Sequence, residues 1–90
     1  MKLLKIGVEW CMGCLVMRPR LAQIEKENPA LKTEYYDFDK DKEIVEKYGL
    51  QKGKLPVFVF LDKDGRELTR LSGEPSKQKI LGLIEKYENN

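Results

Sequence analysis

The segment Leu55-Pro56-Val57-Phe58-Val59-Phe60-Leu61 constrains the fold more than any other stretch of the chain. β-Branched and aromatic residues fill it, and both alternating sets of positions are apolar. A strand apolar on both faces must be covered on both sides, which predicts a central strand inside a layered structure. Pro56 fits near the start of such a strand, where its missing N–H does least harm to the ladder. Asp62-Lys63-Asp64-Gly65 follows as a hairpin turn signal, so the next run is its antiparallel neighbour. In that run Arg66, Leu68 and Arg70 share one face and Glu67, Thr69 and Leu71 the other. Neither face is cleanly apolar, as expected of an edge strand.

Two further strands precede this hairpin. Leu3 to Val8 is apolar except for Lys5 and Gly7, and Lys32 to Phe38 is rich in aromatics. Between them Cys14, Leu15, Met17, Leu21 and Ile24 recur mostly at three and four residues, the helical spacing. Pro19 interrupts this pattern without ending it, so the spacing predicts one kinked helix stopping near Asn28-Pro29. Asp39 to Tyr48 reads as a polar helix with Ile44 and Val45 inward, Asp39 or Asp41 as its cap and Gly49 as its stop. Gln51 to Lys54 reads as an exposed loop. A last helix starts near Pro75-Ser76, with Ile80, Leu81, Leu83, Ile84 and Tyr87 on its apolar stripe. The order is βαβαββα. Right-handed parallel crossovers and one hairpin give a four-stranded mixed sheet with helices on both faces. Ninety residues make one domain, spanning 1–90.

The chemistry is concentrated in Trp10-Cys11-Met12-Gly13-Cys14, which contains both cysteines of the chain. At helical spacing the two sulfurs lie on one face about a turn apart. A bridge between them closes so small a loop that it hardly constrains the unfolded chain, so it is a poor staple. At the first turn of a helix, unpaired N–H groups and the dipole favour a Cys11 thiolate, the attacking species. Cys14, one turn further in, suits the resolving role: it attacks the mixed disulfide and releases the partner reduced. Gly13 leaves the backbone between them uncluttered, Met12 offers an apolar contact to a partner, and Trp10 shields one side of the Cys11 sulfur. Three plainer readings compete. Structural zinc takes about four Cys or His ligands, and with no histidine and two cysteines only a site shared between two chains could supply them. The pair could also be buried thiols packing as small hydrophobes, or incidental residues at a helix start.

Composition narrows the setting. Seventeen basic and fifteen acidic residues are interleaved, giving a net charge of +2 and no basic footprint for nucleic acid. No apolar run approaches a membrane span. The first residues begin like a leader, but Lys5, Gly7 and Glu9 break any hydrophobic region, and the expectation is a cytoplasmic protein. In that reducing compartment a CxxC beside βαβ patterning reads as a redox pair.

Together these residues resemble the thioredoxin family in a shortened form, without its extra N-terminal strand and helix. The resemblance rests on Glu9-Trp10-Cys11-Met12-Gly13-Cys14 with Pro19 eight residues after the first cysteine, on Lys47-Tyr48-Gly49-Leu50 leading to Leu55-Pro56, and on Asp64-Gly65 and Gly73. It implies a thioredoxin-like α/β fold with strand order 2-1-3-4, strand 3 antiparallel, and three flanking helices. It implies a cis Pro56 lying against the CxxC, with Leu55, Pro56, Gly73 and Trp10 lining a partner groove around Cys11. Three departures stand out. Lys5 replaces a buried aspartate six residues before the first cysteine; it is a candidate modulator of the Cys11 pKa, or a side chain that reaches back along the strand. Met-Gly replaces Gly-Pro between the cysteines, and the loop before Pro56 is about two residues longer. Tyr35-Tyr36 stands where a lysine is common.

The function this implies is thiol–disulfide exchange between Cys11/Cys14 and protein disulfides through a mixed disulfide. The chain is expected to act as a monomer with no cofactor or metal, with a thiol protein or flavin-linked reductase as electron donor. The alternatives are a non-catalytic redox-sensing binding module and a glutaredoxin-like, glutathione-dependent reductase; Trp10 and the lack of obvious glutathione-carboxylate contacts rank the latter last, and Lys52 and Lys54 near Pro56 are what keeps it open.

Overall fold

The computed structural model describes residues 1–8 and 12–87, with the Lys52 side chain excepted. Four strands and three α-helices are present among them: β1 (Lys2–Gly7), α1 (Met12–Glu27), β2 (Lys32–Asp37), α2 (Lys42–Tyr48), β3 (Val57–Leu61), β4 (Glu67–Ser72) and α3 (Lys77–Tyr87). The sheet order is β2-β1-β3-β4. β1 and β2 are parallel, while β3 runs antiparallel to both β1 and β4. This is the expected mixed sheet.

Strand parity builds two cores. Every residue of β3 is buried. Its Phe58 and Phe60 join Leu3 on one face, where Met17, Leu21 and Ile24 of α1 and Ile80 and Ile84 of α3 cover them. Val57, Val59 and Leu61 join Leu4 and Ile6 on the other face, beneath Ile44 and Val45 of α2. Each such side chain contributes about 1.5–3 kcal/mol on burial, which is why β3 anchors the sheet. Lys5 shares the parity of Leu3 and so belongs to the α1 side.

Local signals account for the element ends. α1 runs unbroken through Pro19. Gly49 adopts a left-handed conformation (φ 59°) after α2, and its N–H returns to the Glu46 carbonyl. In the hairpin, Asp62 Oδ1 accepts the backbone N–H groups of Asp64 (2.8 Å) and Arg66 (2.9 Å). Those bonds, chiefly the one from Arg66, hold the Asp62 carboxyl below the usual range against a partial desolvation that raises it. The Ser76 hydroxyl accepts the Lys79 N–H (3.1 Å), capping α3.

Three details differ from the sequence reading. Asp41 precedes α2 but makes no side-chain cap; its carboxylate instead accepts the Asp37 N–H at 2.7 Å, closing the β2–α2 turn. The Gln51–Lys54 loop contains a 3₁₀ turn over Lys52–Lys54. The mixed pattern of β4 has a structural cause, a register shift between Phe60 and Leu61, which pair with Thr69 and Glu67. The extra residue, Leu68, breaks the alternation. Leu68 and Leu71 therefore both pack on the α1–α3 core despite their odd spacing.

Candidate functional site

The chain enters α1 from the C-terminal end of β1, the edge where loops converge. Trp10 and Cys11 lie outside the described residues. Met12, the first residue of α1, is 74% exposed. Its neighbours Leu15 and Val16 are also exposed, which leaves an apolar surface on the first turns of α1 beside Cys14.

Cys14 is half-buried and packs against the end of β1. The approach is so close that a Cβ on Gly7 would stand 2.6 Å from the Cys14 Sγ. The Tyr35 hydroxyl would lie 3.7 Å from the same point. Tyr35 on β2 pairs with Lys5, two residues before Gly7, and so shares the parity of Gly7 in the sheet. Gly7 thus makes the room that lets the Cys14 sulfur sit against the strand. In the sequence Gly7 reads only as an interruption of an apolar run. Its signal was a glycine at the end of a strand, which marks a close approach.

The second contact of the site joins α1 to the start of β3. The Leu55–Pro56 peptide bond is cis. Pro56 faces Gly13 so closely that a Cβ there would be 3.0 Å from the Pro56 Cδ. The Gly73 N–H donates to the Pro56 carbonyl (2.9 Å), and Gly73 has a left-handed φ of 82°. Gly73 is therefore fixed beside Pro56. Gly13, Cys14, Pro56 and Gly73 form one group, with half-buried Leu55 next to it. Glu74 joins them, its carboxylate 3.6 Å from the point where a Gly13 Cβ would be, a neighbour the sequence did not reveal.

Lys5 does not join that group through its ammonium. Its Nζ lies 2.9 Å from Glu25 Oε1 on α1. Glu25 is eleven residues beyond Cys14, about 16 Å along the helix axis. The Thr33 hydroxyl donates to the same carboxylate. Partial burial pushes the Glu25 carboxyl up, but the bonds from Thr33 and Lys5 and the Lys5 charge outweigh it and hold the pKa below the ordinary value. The lysine stem crosses under α1 and its head is neutralised near the start of β2.

Comparison with known proteins agrees with this geometry. A family model described as thioredoxin matches residues 1–87. A thioredoxin of Chlamydia trachomatis is 29% identical over 86 residues, covering 96% of this chain and 81% of its own length. An H-type thioredoxin of Oryza sativa is 34% identical over 64 residues, 71% of this chain and 50% of that one. The crystal structure of Fasciola hepatica thioredoxin superposes with a TM-score of 0.85 at 29% identity, over 96% of this chain and 79% of the other.

Proposed function

The chain belongs to the thioredoxin family, and from that premise we propose that it is a thiol–disulfide oxidoreductase acting through Cys11 and Cys14. At the coarser level it is a thioredoxin-type redox protein. The mechanism we infer has two exchanges. The Cys11 thiolate attacks one sulfur of a partner disulfide; that S–S bond breaks, and the partner's other sulfur leaves as thiolate and takes a proton. The Cys14 thiolate then attacks the Cys11 sulfur, forming the Cys11–Cys14 disulfide and releasing the partner's second thiol. Two electrons pass to the partner, and a thiol protein or flavin-linked reductase restores the dithiol.

The observation that carries this reading is the seat of Cys14. Its sulfur is packed into the notch left by Gly7, in the first turn of α1 and beside Pro56. That arrangement suits a resolving thiol: held in place, half-buried, and three residues after the first cysteine. Exposed Met12, with Leu55, Pro56 and Gly73, supplies the surface on which a protein substrate rests, and Trp10 is assigned to the same groove. On this reading the chain is one domain working as a cytoplasmic monomer, where a reducing thiol pool keeps such a pair cycling.

Replacing Cys14 by serine tests the assignment. Cys11 should then accumulate as a stable mixed disulfide with a protein disulfide substrate, visible by mass and reversed by dithiothreitol. Rapid release of the substrate with no covalent species would remove Cys14 from the resolving role.

A further inference from the structure

Glu74 brings a carboxylate to the point where α1 meets Pro56. The carboxylate comes within 3.6 Å of the position a Gly13 Cβ would take, and the Pro56 Cδ lies 3.0 Å from the same position. Glu74 is exposed and makes no ion pair among the described residues. The chain on either side of it is tied down. The Gly73 N–H donates to the Pro56 carbonyl (2.9 Å), and the Arg20 guanidinium donates to the Pro75 carbonyl (2.8 Å). Pro75 also restricts the backbone of Glu74 to extended conformations. Arg20 spends its other contact on the Met17 sulfur (3.4 Å), not on Glu74. Gly13, Met17 and Arg20 follow one another at four and three residues, so a single stripe of α1 meets this loop. Met12 and Val16, also four residues apart, form the adjoining stripe, and both are exposed.

A carboxylate without a counterion, held on an anchored loop beside an apolar stripe, attracts a cation and repels an anion. Within the oxidoreductase reading, on which this inference rests, that is a choice among substrates. We propose that Glu74 selects protein disulfides flanked by lysine or arginine and disfavours those flanked by acidic residues. The partner's apolar side chain rests on Met12 and Val16, and its basic side chain meets Glu74. The carboxylate takes no part in the exchange of sulfur bonds. It acts on which disulfide docks and how long it stays. The preference has a sign of its own: the net charge of +2 steers acidic partners toward the molecule as a whole, so a local advantage for basic flanks cannot come from overall charge.

The test uses the reduced, full-length protein and two synthetic peptides. Each peptide carries one disulfide, and they differ only in having lysine or glutamate on either side of it. Initial rates of reduction are read by mass. The intrinsic reactivity of the peptides cancels when the lysine-to-glutamate rate ratio of a variant is divided by that of the parent. Glu74→Gln should lower that ratio by about three- to fivefold, the upper range for one exposed charge pair. Glu74→Lys should lower it further. The difference between parent and variants should shrink in about 1 M sodium chloride, where the screening length falls to about 3 Å. A second pair of peptides, with serine in place of each cysteine, is titrated against the protein and followed by the amide shifts of Gly13 and Gly73. The lysine peptide should bind the parent more tightly than it binds Glu74→Gln. A parent that reduces no disulfide, the small neutral 2-hydroxyethyl disulfide included, overturns the oxidoreductase reading, and the serine peptides then decide the charge preference alone. A rate ratio that Glu74→Gln and Glu74→Lys leave unchanged, or serine peptides that bind parent and variants alike or not at all, would overturn the proposal.

Discussion

Gly7→Ala probes the packing of the site through one added methyl group. Gly7 lies in β1 and its φ is not among the positive ones, so its backbone accepts alanine. In open space the change would stabilise the protein, because glycine in a strand costs roughly 0.5–1 kcal/mol relative to alanine. Here the new Cβ meets the Cys14 Sγ at 2.6 Å. That is about 1 Å inside the best separation for nonbonded heavy atoms, roughly 3.5–4.0 Å. Neither side yields easily. β1 is paired on both edges, and α1 is pinned by buried Met17, Leu21 and Ile24. Overpacking of this kind costs about 1–3 kcal/mol. The clash therefore wins, and a net loss of about 1–2 kcal/mol is expected. In a domain of this size each kcal/mol lowers Tm by about 4–8 °C. Adding Cys14→Ala removes the sulfur, and the nearest atoms become the residue-14 Cβ at 3.5 Å and the Tyr35 hydroxyl at 3.7 Å, both ordinary contacts. The double variant should recover most of the loss. Urea unfolding of the four proteins under reducing conditions completes the cycle, with an expected coupling of about 1–3 kcal/mol. If Gly7→Ala is as stable as the parent, or equally damaging with alanine at 14, the close approach of strand and sulfur is refuted.

Other perturbations have definite signs. The Glu25 pKa is lowered on folding, so its contribution is complete above the ordinary glutamate value, about 4.3, and is lost as pH falls through the lower folded value. Glu25→Gln should therefore lower stability at neutral pH by less than about 1 kcal/mol, since the pair is partly exposed, and the difference from the parent should vanish in acid. A gap that stays constant or widens in acid, followed by urea unfolding across that range, would contradict the pairing with Lys5. Gly49 holds a left-handed conformation with open space around it, so Gly49→Ala should cost about 1–2 kcal/mol from the backbone alone. An unchanged thermal midpoint would contradict that cap.

Much of the architecture was legible because its signals are local. The two-sided apolar run at Leu55–Leu61 predicted the buried β3, Asp62–Gly65 predicted the turn, and Gly49 predicted the end of α2. What the sequence hid depends on partners far away in the chain. Asp41 has the residue type of a cap, yet its carboxylate finds the Asp37 N–H first. The inward face of β4 was unreadable because the extra residue at Leu68 shifts the alternation, and nothing in the tetrad around it announces a bulge. Lys5 looked like a cation beneath the cysteines, but its counterion is twenty residues away on the next helix. At the site, the cis Pro56 and its neighbour Gly73 were expected through the family resemblance and not from residue type or spacing. The close approaches of Gly7 to Cys14 and of Glu74 to Gly13 could not be expected at all, because each comes from what the fold sets side by side rather than from any motif.

The central claim is that Cys11 and Cys14 form one reversible two-electron couple. Equilibrating the protein with thiol–disulfide buffers of defined potential, quenching, and counting alkylated cysteines by mass tests it directly. The account predicts that both alkylation sites vanish together along a single two-electron transition, with a midpoint within the span of roughly −270 to −120 mV covered by such dithiol proteins. Two cysteines that remain alkylated in every buffer, or that titrate independently of each other, would contradict it.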